Sequence, residues 1–153
     1  MLHSICASES EIDLTSIKAA LDYLLTKKKC DFDENFVKHV NKLVCGNGQY
    51  SLTQRYTTFK GKTILYDEPW KIPYKMDNLV QKVKSNSIDA SEFLMRFLKI
   101  HPFNDGNGRT AKLLTFFITK RRYIWTNQEK FIEILISGDT TAMRLYLDSL
   151  SCE

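Results

Sequence analysis

Residues 101–112 read HPFNDGNGRTAK, and this polar stretch separates two apolar segments that are typical of helices. It contains two of the six glycines, one of the three prolines and one of the three histidines of the chain. Pro102 disfavours helical geometry at the residue before it, so the preceding helix is predicted to end near Ile100 and to present His101. Phe103 is the one large apolar residue of the stretch and is predicted to pin it to the core.

The second half of this stretch has the composition of an anion-binding site. Gly106, Asn107 and Gly108 tolerate left-handed or closely approached backbone, and they directly precede a predicted helix start. Amides at a helix N-terminus, together with the positive end of the helix dipole, bind anions. Arg109 and Lys112 share a face of the first turn, where cations are unfavourable unless an anion is bound.

Two further residues complete a set suited to phosphoryl or nucleotidyl transfer. Asp105 suits Mg²⁺, because this ion combines one or two carboxylates with phosphate oxygens. His101 is the one side chain nearby that exchanges a proton near neutral pH, so it is the predicted base. An EF-hand beginning at Asp105 is excluded because Phe116 occupies its twelfth position, and no P-loop GxxxxGK[ST] occurs. On composition alone, a helix–loop–helix turn with incidental polar residues remains the alternative.

The rest of the chain predicts an all-α fold with one β-hairpin. In residues 10–29, one stripe carries Ile17, Leu21, Leu24 and Leu25, with lysines in the last turn of the helix. Residues 55–66 are rich in Tyr, Thr and Phe around KGK, which predicts a hairpin. The segment after the polar stretch is apolar nearly all round, as expected of a central helix.

At 153 residues, with 43% hydrophobic and 26% charged residues, the chain is predicted to be one domain with a core over about 13–150. The net charge of +4 with scattered basic residues is weak evidence for nucleic-acid binding, and no apolar run approaches the ~18 residues that a membrane span needs, so neither partner is expected. Four cysteines without metal-ligand spacing, and no recognisable signal peptide, predict reduced thiols in a cytoplasmic compartment. A disulfide between Cys6 and Cys152 stays open as an alternative.

The stretch HPFNDGNGRTAK closely resembles the signature of the Fic family, H-x-F-x-[DE]-G-N-G-R-x-x-R, at every fixed position except the last. The resemblance covers roughly residues 13–150. The predicted hairpin at 55–66 is similar to the flap of that family, and residues 101–109 are similar to its active-site loop. The resemblance implies a Fic-type helical bundle with a central helix–loop–helix.

Most Fic proteins transfer AMP from ATP to a Ser, Thr or Tyr hydroxyl of a target protein. The resemblance implies that His101 is the base and that Asp105 holds Mg²⁺ against the nucleotide. It also implies that residues 106–108 form the anion hole, that Asn104 belongs to the nucleotide site and that Arg109 contacts the outer phosphates. The flap would pair with an extended target segment by strand addition.

The sequence departs from the family pattern at Lys112, which stands where the family has a second arginine. Lysine keeps the charge but lacks the planar fork, so the orientation and choice of nucleotide stay open. The inhibitory motif of the family, [ST]xxxE[GN], is not matched: Glu34-Asn35 is the one Glu-Asn pair, and Cys30 stands at the Ser/Thr position. We therefore expect no intrinsic inhibition, and a separate antitoxin-like partner is a possible inhibitor.

Two other functions remain open at this level. One is a Fic-fold transferase that uses another nucleotide, phosphocholine or a phosphoryl group, as in the death-on-curing toxins. The intact Gly-Asn-Gly favours AMP transfer, because the phosphoryl-transferring branch resembles a loop with Ala and Lys there. The other is a non-catalytic nucleotide-binding module. The sequence also leaves open whether such a protein is delivered into a host cell.

Overall fold

The computed structural model describes residues 11–44, 47–121 and 123–150. Within them the chain forms seven α-helices, one two-stranded hairpin and two short 3-10 helices, Lys29–Asp31 and Pro69–Lys71. The predicted all-α class with one β-hairpin is confirmed. The main elements are α1 Glu11–Leu25, α2 Glu34–Val44, β1 Tyr56–Phe59, β2 Lys62–Leu65, α3 Ile72–Lys84, α4 Ala90–Ile100, α5 Asn107–Thr119, α6 Gln128–Ser137 and α7 Thr140–Ser149.

Helix α5 lies at the centre of the fold, as its apolar sequence predicts. Ala111, Leu113 and Leu114 are fully buried, and Phe117 is 3% exposed. The helix packs against α4, α2 and α1. Burying each large apolar side chain contributes about 1.5–3 kcal/mol, so core packing holds α5 in place.

Helix α4 has clear local signals at both ends. Its N-cap is Asp89, whose side chain accepts a hydrogen bond from the Glu92 amide at 2.9 Å. Its apolar face packs into the core through Phe93, Leu94 and Phe97. The helix ends at Ile100, as the following proline predicts. Core packing of α4 therefore fixes the position of His101, the residue that follows the helix.

The hairpin is formed by antiparallel pairing from Tyr56 with Leu65 to Phe59 with Lys62. Lys60 and Gly61 make the turn, and both have positive φ angles, of 50° and 76°. Such two-residue turns match the twist of the strands. Because two strands alone are marginally stable, the hairpin needs support from the helices.

Two expectations about the first helix are wrong. Leu25 does not share the buried stripe of its neighbours and is 63% exposed. The lysines at 27–29 lie beyond the helix, because α1 ends at Leu25 and no basic residue lies in its last turn. The cation at Lys29 instead opens a 3-10 helix. The disulfide alternative, Cys6 with Cys152, falls outside the described residues, and the Cys30 thiol is free and exposed.

None of the helices in the described part of the chain combines the length and the apolar composition that crossing a bilayer requires.

Candidate active site

His101 occupies the C-cap of α4 with left-handed backbone angles, φ 51° and ψ 61°. This conformation is unfavourable for a residue with a Cβ and persists only where the surroundings impose it. Its amide donates to the Phe97 carbonyl at 2.9 Å. The turn lifts the imidazole out of the helix and directs the chain into the loop, as Pro102 predicts.

The imidazole of His101 is held on two sides. The Tyr66 ring stacks on it with centroids 3.6 Å apart and an angle of 1° between the planes. Its Nδ1 lies 3.3 Å from the Leu98 carbonyl oxygen, which can only accept. Nδ1 therefore carries the hydrogen in this contact, and Nε2 has a lone pair available for a proton.

Burial lowers the pKa of His101 from 6.5 to about 4; the Leu98 carbonyl opposes this shift, and the Arg55 guanidinium adds to it. The ring is therefore neutral at pH 7, as a base must be before it accepts a proton. A polyphosphate placed beside the ring would raise this pKa, because a nearby anion favours the protonated form.

The loop between the two helices is closed by a buried asparagine. The Asn107 side chain, 3% exposed, donates to the Phe103 carbonyl at 2.7 Å and accepts from the Phe103 amide at 3.0 Å. Phe103 itself is 1% exposed, so the prediction that it pins the loop is confirmed. The side chain of Asn107 thus shapes the loop, and its contribution to an anion site would come from the backbone.

The loop is also tied to distant parts of the chain. The fully buried Asn41 of α2 donates to the Asp105 carbonyl at 2.9 Å. The Ser51 amide donates to the Pro102 carbonyl at 2.8 Å, and its hydroxyl donates to the Asn104 side chain at 2.5 Å. The loop is therefore a rigid support with bonds to two other segments.

Helix α5 begins within the motif, so only residues 101–106 are irregular. Gly106 is its N-cap, with φ 76°, and provides no side-chain cap. The first intrahelical hydrogen bond joins the Thr110 amide to the Gly106 carbonyl at 2.9 Å. The amides that precede it, beginning at Asn107, therefore have no acceptor within the helix. An uncapped N-terminus of this kind favours a bound anion.

Arg109 lies on the first turn of α5, as predicted, but Lys112 lies on the second turn, because the helix begins at Asn107 and not after Gly108. Arg109 lies 3.8 Å from Asp105, measured from Nη2 to Oδ1. The Lys112 ammonium lies 5.4 Å from the centroid of the Trp125 ring. In this position Lys112 is held by an aromatic face, a contact that the sequence did not reveal.

A cavity of about 360 Å³ brings all the predicted site residues together. Its wall is lined by His101, Asn104, Asp105, Gly106, Asn107, Gly108, Arg109 and Lys112, and also by Gln128 and Phe131 at the start of α6. A second cleft of about 280 Å³ lies under the hairpin and shares His101, Gly108, Gln128 and Phe131 with the first. The imidazole therefore stands where a polar, cation-lined cavity meets a more apolar one.

The residues present fit Mg²⁺ brought in with a nucleotide. Among the described residues, no group of three or more His, Cys, Asp or Glu side chains is arranged to hold a metal, so an all-protein cage is not formed there. Asp105, however, offers a carboxylate that is 73% exposed. Its Oδ1 is fixed by the Gly106 amide at 2.8 Å. One carboxylate supplemented by phosphate oxygens is a common Mg²⁺ donor set.

Several residues of the site were missed by sequence reasoning. Tyr66 lies at the end of the predicted hairpin, where an aromatic residue is ordinary for a strand. Asn41 lies within a helix, where only its burial distinguishes it. Arg55 gave no signal, because its partners are backbone carbonyls, three of them on residues 12 or more positions away. Gln128 and Phe131 begin a helix whose placement over the loop is a tertiary feature.

The fold is similar to solved structures of Fic-domain proteins. A signalling protein containing a FIC domain, from Bacteroides thetaiotaomicron, matches with a TM-score of 0.71 at 19% identity, over 89% of this chain and 65% of that one. A Fic family protein from Desulfovibrio desulfuricans matches with a TM-score of 0.75 at 15% identity, over 95% and 54%. The effector BepC of Bartonella tribocorum, solved with bound AMPPNP, matches with a TM-score of 0.64 at 14% identity, over 92% and 89%.

A curated relative is the small chain of ribonucleoside-diphosphate reductase from Ostreid herpesvirus 1, which is 25% identical over 112 residues. The match covers 61% of this chain but only 19% of that protein. The chain thus spans about a fifth of the length of this relative.

The model of the Fic/DOC family matches residues 31–119, which include the hairpin, the loop and all of α5. The match extends over more than half of the chain and contains the cavity residues from 101 to 112. The sequence resemblance is thereby confirmed, and the chain belongs to the Fic/DOC family.

Proposed function

We propose that this protein is an adenylyltransferase that transfers AMP from ATP to a Ser, Thr or Tyr hydroxyl of a target protein. The observation that carries the proposal is the shared cavity, in which His101 faces the uncapped N-terminus of α5. A base and an anion site in one cavity are what an attack on a phosphate needs. The AMPPNP bound by BepC, and the ADP bound by a Fic domain from Bartonella quintana, support a nucleotide as the ligand.

In this reaction the hydroxyl oxygen of the target attacks the α-phosphorus of ATP. A new O–P bond forms, the bond from the α-phosphorus to the pyrophosphate breaks, and pyrophosphate leaves. The proton of the hydroxyl passes to Nε2 of His101, while Nδ1 keeps its hydrogen on the Leu98 carbonyl. The Tyr66 ring prevents the imidazole from turning away.

The α5 terminus would bind the phosphates. The amides from Asn107 onward would bind them because they have no acceptor within the helix, and Arg109 would supply a positive charge next to them. Lys112 supplies a second charge at the rim, without the bidentate geometry of an arginine. Asp105 would hold Mg²⁺, which when bound neutralises charge on the phosphates.

The target would dock on the hairpin. Both strands have exposed residues, and a two-stranded sheet has an open edge on each side. An extended target segment that adds a third strand brings its hydroxyl to the cleft below, which ends at His101. A separate inhibitory partner remains part of the proposal, since the one Glu-Asn pair of the chain lies at the start of α2, where Glu34 accepts a hydrogen bond from the Tyr50 hydroxyl at 2.6 Å.

The test compares labelling of proteins from ATP carrying ³²P at the α or the γ position, in the presence of Mg²⁺. Label from the α position is expected. His101→Ala should abolish transfer while leaving ATP binding nearly intact, which calorimetry measures. Label from the γ position alone would identify a phosphoryl transferase. Binding of ATP with no transfer to any protein would identify a non-catalytic module.

A further inference from the structure

Arg55, directly before β1, is 7% exposed although it carries a positive charge. Arginine is rarely buried unless its donors are satisfied. Here Nε donates to the His101 carbonyl at 2.7 Å and Nη1 to the Thr53 carbonyl at 2.8 Å. Nη2 donates to the carbonyls of Asp67 at 2.7 Å and Ile100 at 2.8 Å. One planar guanidinium thus bonds four backbone carbonyls.

These four carbonyls belong to two different parts of the fold. Thr53 and Asp67 flank the hairpin on either side, whereas Ile100 and His101 form the C-terminal end of α4. Carbonyls at a helix end have no partner within the helix and need donors from elsewhere. The planar fork of an arginine, with five N–H groups, can supply several at fixed angles, and lysine cannot.

Two backbone hydrogen bonds beside those of Arg55 also join the hairpin region to the end of α4 and the start of the loop. The Asp67 amide donates to the Lys99 carbonyl at 3.2 Å, and the Ser51 amide donates to the Pro102 carbonyl at 2.8 Å. The carbonyls from Lys99 to Pro102 therefore all accept from the segment between Ser51 and Asp67. Of these four carbonyls, Arg55 bonds the middle two, those of Ile100 and His101, where the left-handed turn begins.

We propose that Arg55 is a positioning residue for the transfer reaction, which joins the base of the hairpin to the His101 turn and so fixes the direction of the imidazole. This inference rests on the proposed function. Without the guanidinium, the carbonyls of Ile100 and His101 would turn toward water, and His101 could relax from its left-handed conformation. A small displacement of a reacting group can lower the rate by about 100-fold.

The first experiment compares Arg55→Gln and Arg55→Lys with Arg144→Gln as a matched control. Arg144 is an exposed arginine of α7 that bonds the carboxylate of Asp89 at 2.8 Å, away from the cavity. We expect R55Q to lower kcat by about 10- to 100-fold with little change in the Kd for ATP. R55K should recover part of the loss because it keeps the charge and some donors. R144Q should retain the kcat of the wild type.

The second experiment needs no activity. In the NMR spectrum of the ligand-free protein, R55K and R55Q should shift the imidazole signals of His101. Amide hydrogen exchange should become faster at Ser51 and Asp67, whose bonds lie beside those of Arg55. R144Q should change neither. These measurements remain decisive if the wild-type protein transfers no label, in which case the proposed function fails on its own.

Two results would overturn the inference. One is a folded R55Q or R55K protein whose kcat is close to that of the wild type. The other is an unchanged His101 signal in such a protein. If R55Q does not fold, R55K alone decides, since it preserves the buried charge and most of the length of the side chain. A loss of ATP affinity equal to the loss of kcat/KM would also count against positioning, because it would indicate a role in nucleotide binding.

Discussion

Replacing Asn107 by Ala should show how much the hydrogen bonds of its side chain stabilise the loop. The side chain is 3% exposed and makes two hydrogen bonds to the backbone of Phe103, at 2.7 Å and 3.0 Å. Alanine fits the helix but removes both bonds. The amide and the carbonyl of Phe103 then lose their partners while Phe103 remains buried in the core.

The size of the effect follows from these two groups. A buried backbone group left without a partner costs about 1–3 kcal/mol. The loop borders the cavity, so water can reach part of it, and we take the lower half of that range for each group. The free energy of unfolding should fall by about 2–4 kcal/mol. For a chain of this length, the midpoint of thermal unfolding should fall by roughly 5–15 °C.

The assay is denaturant unfolding followed by circular dichroism. Asn104→Ala is the matched control, because Asn104 lies in the same loop but is exposed and bonds only the Ser51 hydroxyl among the contacts described. It should cost less than about 1 kcal/mol. If N107A were no less stable than N104A, the bonds to Phe103 would not support the loop.

Two further predictions concern protonation and the hairpin. Because burial lowers the pKa of His101 from 6.5 to about 4, the unfolded chain binds this proton at a higher pH than the folded one. The free energy of unfolding should keep its full value above pH 6.5 and fall by about 3 kcal/mol toward pH 4. Urea unfolding at several pH values measures this fall. A His101→Asn protein that loses as much stability over the same range would contradict the prediction. Lys60 at the hairpin turn lies 2.9 Å from Glu129 and 2.6 Å from Glu133 of α6. Since exposed ion pairs add little to the free energy of unfolding, Lys60→Gln should leave global unfolding almost unchanged. It should speed hydrogen exchange of the hairpin amides, and high salt should do the same in the wild type. Unaltered exchange would show that this contact does not hold the hairpin down.

Local sequence predicted the parts of the site whose structure depends on nearby residues. Pro102 predicted the end of α4, because a proline restricts the residue before it. Gly106 provides the left-handed N-cap of α5, although the helix begins at Asn107 and not after Gly108 as expected. Apolar periodicity indicated the buried faces of both helices. The eight predicted site residues consequently lie around one cavity. Local reasoning failed at Leu25, where the helix ends one turn earlier than its lysines suggested.

The sequence by itself therefore determined the fold class, the hairpin and the order of groups along the loop. Only the tertiary structure decided what holds them: Arg55 bonds His101 across 46 residues, and Asn41 bonds Asp105 across 64. The physical reason is that these donors meet backbone carbonyls, which every residue carries, so no pattern of side chains marks the partner. Which carbonyl is reached depends on how the helices and the hairpin pack.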